Sequence, residues 1–146
     1  MTRRSRRRAL VVLALAGIFV SLYLLLYKLG FYGSLMCGGA SCQVVQSSEY
    51  AEIAGVPVAG WGLAWYVAVF AGGLARLQPG LADAGWLRLG LEVAAATGVI
   101  FTGWLTWVEL FVLHAICWWC VGSAVLVVLI AALLAWDRMA EGRGGG

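Results

Sequence analysis

Four apolar runs, each about as long as a bilayer is thick, constrain this chain more than any other feature. A hydrocarbon core of about 30 Å takes roughly 20 residues of helix at 1.5 Å rise each. The sequence supplies runs of that size at residues 9–27, 56–75, 89–113 and 117–136. With 63% hydrophobic and 12% charged residues among 146, the chain carries more apolar surface than a single soluble core of this size encloses. The excess faces lipid. The absence of heptads and low-complexity tracts excludes coiled coil, collagen and disorder. The expected fold is an all-α integral membrane protein, a four-transmembrane-helix bundle forming one domain over residues 1–146.

The basic residues set the expected orientation. Arg3, Arg4, Arg6, Arg7 and Arg8 precede the first run, Arg76 and Arg88 flank the connector between the second and third, and Arg138 and Arg143 follow the fourth. Four crossings put these three regions on one side, so nine of the ten Lys and Arg residues share it. The positive-inside rule makes that side cytoplasmic. The expected location is the bacterial inner membrane, multi-pass, with both termini in the cytoplasm. The exception, Lys28, stands at the far end of the first run, where its stem reaches the headgroups. The first run exceeds the length of a signal-peptide core and no small-residue cleavage site follows it, so it reads as a retained anchor. The arginine run is an orientation signal, and a net charge of +3 gives no case for a nucleic-acid partner.

On this topology all four cysteines lie on the outer side, where disulfides persist. Cys117-Trp118-Trp119-Cys120 opens the fourth run as a Cys-x-x-Cys. Helical i, i+3 spacing places the two sulfurs on one face, and a helix N-terminus stabilises a thiolate. Attack by a thiolate is the step that disulfide exchange requires. Cys37-Gly38-Gly39-Ala40-Ser41-Cys42 instead lies in a small-residue loop, able to meet a protein thiol from solvent. A loop pair beside a helix pair is the layout of a dithiol relay. Two other readings stand beside it: two structural disulfides stapling a membrane protein, or a soft-metal transporter holding thiophilic cations between the pairs. No metal is expected, because His114 is the only additional soft ligand near the cysteines.

Other side chains carry weaker signals. Glu109 and Glu92 lie near the outer and inner ends of the third run, and ionisable residues within a span are candidates for function. His114, three residues before Cys117, is a candidate to exchange a proton. Trp61, Trp65, Trp104, Trp107, Trp118 and Trp119 at the outer side, with Trp86 and Trp136 at the inner, read as aromatic belts. Trp118 and Trp119 are also placed to flank a flat ring bound beside the cysteines. Gly60 and Gly62, Gly72 and Gly73, and Gly98 and Gly103 read as close-approach positions.

These motifs come in a telling order: Cys37 and Cys42, Ser47-Ser48-Glu49-Tyr50-Ala51, Gly55-Val56-Pro57-Val58-Ala59-Gly60-Trp61-Gly62, Glu109-Leu110, then Cys117-Trp118-Trp119-Cys120. The order resembles the bacterial branch of the vitamin K epoxide reductase family across nearly the whole chain. The resemblance implies a four-helix bundle around a quinone, capped by a short half-helix after the loop pair. It further implies that Cys37 forms a mixed disulfide with a reduced thioredoxin-fold protein, Cys42 passes electrons to Cys117, and Cys120 reduces the quinone. Ser48 would order the loop or donate to the quinone, and Glu109, His114, Trp118 and Trp119 are further candidate quinone contacts. The chain departs from vertebrate members in having no Asn at all and in placing Ala124 where their quinone-binding Tyr would stand, which leaves the quinone's hydrogen-bond donors unassigned. Because the chain ends at Gly146 without a fused thioredoxin domain, its partner is expected to be a separate exported, DsbA-like protein. The expected function is a quinone-dependent thiol oxidase, with ubiquinone or a menaquinone or vitamin K type quinone, or its epoxide, as the co-substrate.

Overall fold

The computed structural model describes residues 2–31, 44 and 47–144. Among them, four helices are long and apolar enough to cross a membrane. They are α1 (Arg3–Lys28), α2 (Val58–Ala75), α3 (Gly85–Trp107) and α4 (Trp118–Gly144). A π-helical segment, Val108–Leu113, continues α3. Ahead of α2, a 3₁₀ turn (Glu49–Ala51) leads into a two-stranded hairpin, β1 (Glu52–Ile53) and β2 (Val56–Pro57). The half-helix expected after Cys42 falls largely outside the described residues, as do Cys37 and Cys42 themselves.

Three helices run well past the apolar stretches at the arginine end: α1 and α3 at their starts and α4 at its end. Thr2 Oγ1 caps α1 by accepting from Ser5 N at 3.1 Å, so the helix starts among the arginines, and α4 continues to Gly144. Ion pairs explain the extension. Asp137, 4% exposed, accepts from Arg6 Nε at 3.0 Å and Arg6 Nη2 at 2.9 Å on one oxygen, and from Arg76 Nη2 at 3.1 Å on the other. Arg7 donates to Asp83 at 3.2 Å and to the Arg76 carbonyl at 3.3 Å. Arg88 reaches Glu141 at 2.9 Å, and Arg138 pairs with Glu92. The residues that read as an orientation signal therefore also tie α1, the α2–α3 connector and α4 together at one end. Arg6 additionally lies over the Trp136 ring at 5.8 Å.

Along the bundle, α1 packs against α2 and α4, and α3 against α4, while α2 and α3 meet less extensively. The core joins Leu10 and Ala14 of α1 to Tyr66 and Val69 of α2, Leu91 and Ala95 of α3, and Val127, Ile130 and Leu134 of α4. Two close approaches set its geometry. A Cβ on Gly17 would lie 2.1 Å from Tyr66 Cε1, and one on Gly98 would lie 2.5 Å from Trp65 Cζ2. Trp65 fills the Gly98 groove and donates to the Ala94 carbonyl at 2.9 Å, so it is a packing residue and not part of the belt. At Gly103, also read as a close-approach position, an added Cβ would meet no other described residue within 4 Å. Gly17→Ala is expected to destabilise the bundle by about 1–3 kcal/mol through overpacking. Denaturant titration in detergent micelles checks this, and an unchanged midpoint contradicts it.

Candidate functional site

At the end opposite the arginine cluster, the hairpin ahead of α2 and the reversal between α3 and α4 create a site. The hairpin turns on Ala54 and Gly55, both at positive φ (55° and 79°), as a two-residue hairpin loop of this kind requires. Trp61 Nε1 pins it to α2 by donating to the Ile53 carbonyl at 3.2 Å. Lys28, at the end of α1, pairs with Glu52 of the hairpin at 3.7 Å. Past Trp107 the widened π-helical turn ends at His114, whose φ of 49° reverses the chain. The His114 and Ala115 amides both donate to the Glu109 carbonyl. That reversal starts α4 within a few residues and turns the Glu109 side chain inward, where it is buried. Wide turns of this type recur at functional sites.

Cys117 sits at the N-cap of α4. Its carbonyl accepts the first helical bond, from Val121 N at 2.9 Å, and its sulfur accepts from Cys120 N at 3.4 Å. Ser or Asp oxygens ordinarily fill this role. Here a sulfur fills it, facing the positive end of the helix. The Cys117 amide donates to Glu109 Oε2 at 3.4 Å. The Cys120 thiol is a hydrogen-bond partner of both Cys117 and the Glu109 carboxyl. Cys117 is fully buried against Leu24, whereas Cys120 is only partly covered.

Cys120 opens onto a cavity of about 940 Å³, toward the upper end of the range of small-molecule sites. Its walls come from all four helices and from the hairpin segment. Cys120, Ser123, Ala124 and Val127 form the α4 wall, an i, i+3, i+4, i+7 stripe on one face. Trp61 and Trp65 stand on α2, and Phe101, Trp104 and Leu105 on α3. Ser48, Tyr50 and Ile53 close the cavity above, with Tyr50 set edge-on to Trp104 at 6.3 Å. Ala64 of α2 and Thr97 of α3 both line the cavity and are exposed, so it is open between these two helices.

The residues singled out in the sequence divide accordingly. Cys120, Glu109 and Ser48 line the cavity, and Cys117 lies directly behind Cys120. Trp118, Trp119 and His114 are not among the lining residues. Trp118 is 63% exposed on the outer surface of the bundle; Trp119 leans on Tyr23 of α1 with ring centroids 4.8 Å apart; His114 forms the reversal. Two lining residues were missed. Tyr66 donates to the Ser123 carbonyl at 3.0 Å and shares a hydrogen bond of 2.8 Å with Ser123 Oγ. The available signals were a lone mid-span tyrosine and a serine one turn after Cys120. Residues 8–135 of the 146-residue chain match the vitamin K epoxide reductase family, and with its membrane-length helices and its Cys-x-x-Cys opening onto a cavity, the chain belongs to that family of oxidoreductases acting on thiols with quinones.

Proposed function

We propose that the protein is a membrane thiol oxidase that takes two electrons from an exported thioredoxin-fold protein and delivers them to a membrane quinone, so generating disulfides for secreted proteins. The observation that carries this reading is that one sulfur of the Cys-x-x-Cys, that of Cys120, faces a large, mostly apolar cavity walled by the four membrane-length helices. Lipid-soluble electron acceptors enter from the bilayer, and protein thiols approach from water. The outer position of the pair follows from the arginine-rich opposite end, which the positive-inside rule places in the cytoplasm, and the compartment is the bacterial inner membrane.

In this reading Cys37 forms the mixed disulfide with the partner, and Cys42 carries the electrons to the buried Cys117. The Cys117 and Cys120 dithiol then meets the quinone. Two S–H bonds break and one S–S bond forms, while the quinone gains two electrons and two protons as hydroquinone. The Cys120 amide facing the Cys117 sulfur supports the negative charge that develops on it during such exchange. Glu109, bonded to the Cys120 thiol, receives its proton on the way to a quinone oxygen. Ser48 and Glu109 are the quinone contacts that also line the cavity, and aromatic Trp65, Phe101 and Trp104 supply flat surfaces for the ring. Vitamin K type quinones and ubiquinone both suit a cavity of this chemistry, and the epoxide is a further candidate substrate.

Purified protein in detergent, supplied with a reduced thioredoxin-fold protein and a soluble naphthoquinone, should show catalytic hydroquinone formation matched mole for mole by disulfide in the partner. No hydroquinone, together with stoichiometric binding of a thiophilic cation, would establish the transporter reading instead.

A further inference from the structure

The hydroxyls in the cavity wall are not equivalent. Thr97 and Thr106 donate to carbonyls of their own helix, Ala94 O and Thr102 O, both at 2.9 Å, the usual way a span hides a hydroxyl. Ser123 does something else. Its Oγ faces Tyr66 OH across the α2–α4 interface at 2.8 Å, and Tyr66 also reaches the Ser123 carbonyl at 3.0 Å. Tyr66 is 1% exposed and its ring is wedged against Gly17 and edge-on to Trp65 at 5.0 Å, so its hydroxyl is fixed. When Tyr66 gives its hydrogen to Ser123 Oγ at 2.8 Å, the Ser123 hydrogen is left to turn into the cavity. Ser123 stands one helical turn from Cys120 on the same cavity-facing stripe. That spacing allows a carbonyl oxygen to sit on Ser123 while an adjacent ring carbon meets the Cys120 sulfur.

We propose that Ser123, held in place by Tyr66, donates the hydrogen bond that anchors one carbonyl oxygen of the quinone beside Cys120. The inference rests on the thiol oxidase reading above. It supplies the donor left unassigned by the absence of Asn and by Ala124. Ser123 keeps its proton throughout: the two thiols provide both protons and both electrons, and the products are one disulfide and one hydroquinone. The contribution of Ser123 grows as charge develops on the quinone oxygen, because a fixed donor in an apolar cavity stabilises that charge more than it stabilises the neutral carbonyl. Tyr66 is a positioning residue, acting only through Ser123.

Steady-state kinetics with a reduced thioredoxin-fold protein and a naphthoquinone separate this role from a structural one. In a two-stage reaction, kcat/KM for the quinone reports the reduced protein meeting quinone, and kcat/KM for the thiol protein reports the other half. Ser123→Ala should lower kcat/KM for the quinone by about tenfold or more and leave kcat/KM for the thiol protein within twofold. Ser123→Thr should restore most of the loss, and Tyr66→Phe should show a smaller loss in the same half-reaction. An unchanged quinone half-reaction in Ser123→Ala, or equal losses in both halves, overturns the assignment while leaving the oxidase reading intact. A wild-type protein that reduces no quinone overturns both.

Discussion

Replacing Asp137 with alanine should lower the stability of the bundle by about 3–5 kcal/mol, the cost of stranding buried charges. The carboxylate is 4% exposed and receives three hydrogen bonds, two from Arg6 and one from Arg76. Arg6 and Arg76 are themselves buried. Without Asp137, Arg76 keeps Glu141 at 3.6 Å, but Arg6 loses its short pairing to α4. The cost exceeds that of a surface pair, about 0–1 kcal/mol, because water does not take over the lost contacts. Arg138→Ala provides the comparison: its side chain is 69% exposed and pairs with Glu92, so its loss should change stability by less than about 1 kcal/mol. Denaturation followed by tryptophan fluorescence in micelles checks both. A change below about 1 kcal/mol for Asp137→Ala would show that the cluster is hydrated and only decorates the helix ends.

This cluster also marks where the sequence stops being readable. The spans were legible because lipid imposes one local rule, a run of about 20 apolar residues, and the register of Cys117 and Cys120 was legible because their spacing is three residues on a helix. Contacts between distant residues have no such local signature. Arg6 and Asp137 are 131 positions apart, and Tyr66 and Ser123 are 57 apart; in the sequence Arg6 reads as part of a charge run, and nothing local ties Asp137 to it or Tyr66 to Ser123. Gly17 drew no notice, yet it accepts the Tyr66 ring more closely than any paired glycine singled out for packing. Trp65 read as belt because composition cannot distinguish a tryptophan facing lipid from one filling the Gly98 groove. The candidate site was legible in its sulfurs and in Glu109, whose place beside Cys117 and Cys120 depends on the π-helical turn and the left-handed His114.

The other large effect concerns the sulfurs. Cys120→Ser should reduce quinone turnover by roughly a thousandfold or more, since a hydroxyl supplies neither the nucleophile nor the two-electron couple. Cys117→Ser should be equally inactive, and the double variant no worse, because the two sulfurs act as one redox unit. The Cys117 variant is informative for a second reason. Serine is a better N-cap than cysteine, so the start of α4, where Cys117 Sγ accepts from Cys120 N, should stay folded, and unaltered stability with lost turnover would separate chemistry from architecture. Turnover within tenfold of wild type in either variant would place the quinone-reducing group elsewhere.

The central claim is that Cys117 and Cys120 alone pass two electrons to a quinone in the adjoining cavity. A variant carrying Cys37→Ser and Cys42→Ser, reduced, freed of reductant and mixed without oxygen with excess naphthoquinone, tests it in one turnover. One equivalent of hydroquinone per protein, appearing as the two remaining thiols disappear, is the predicted result. Persistence of both thiols, or the same yield after Cys120→Ser is added, would contradict it.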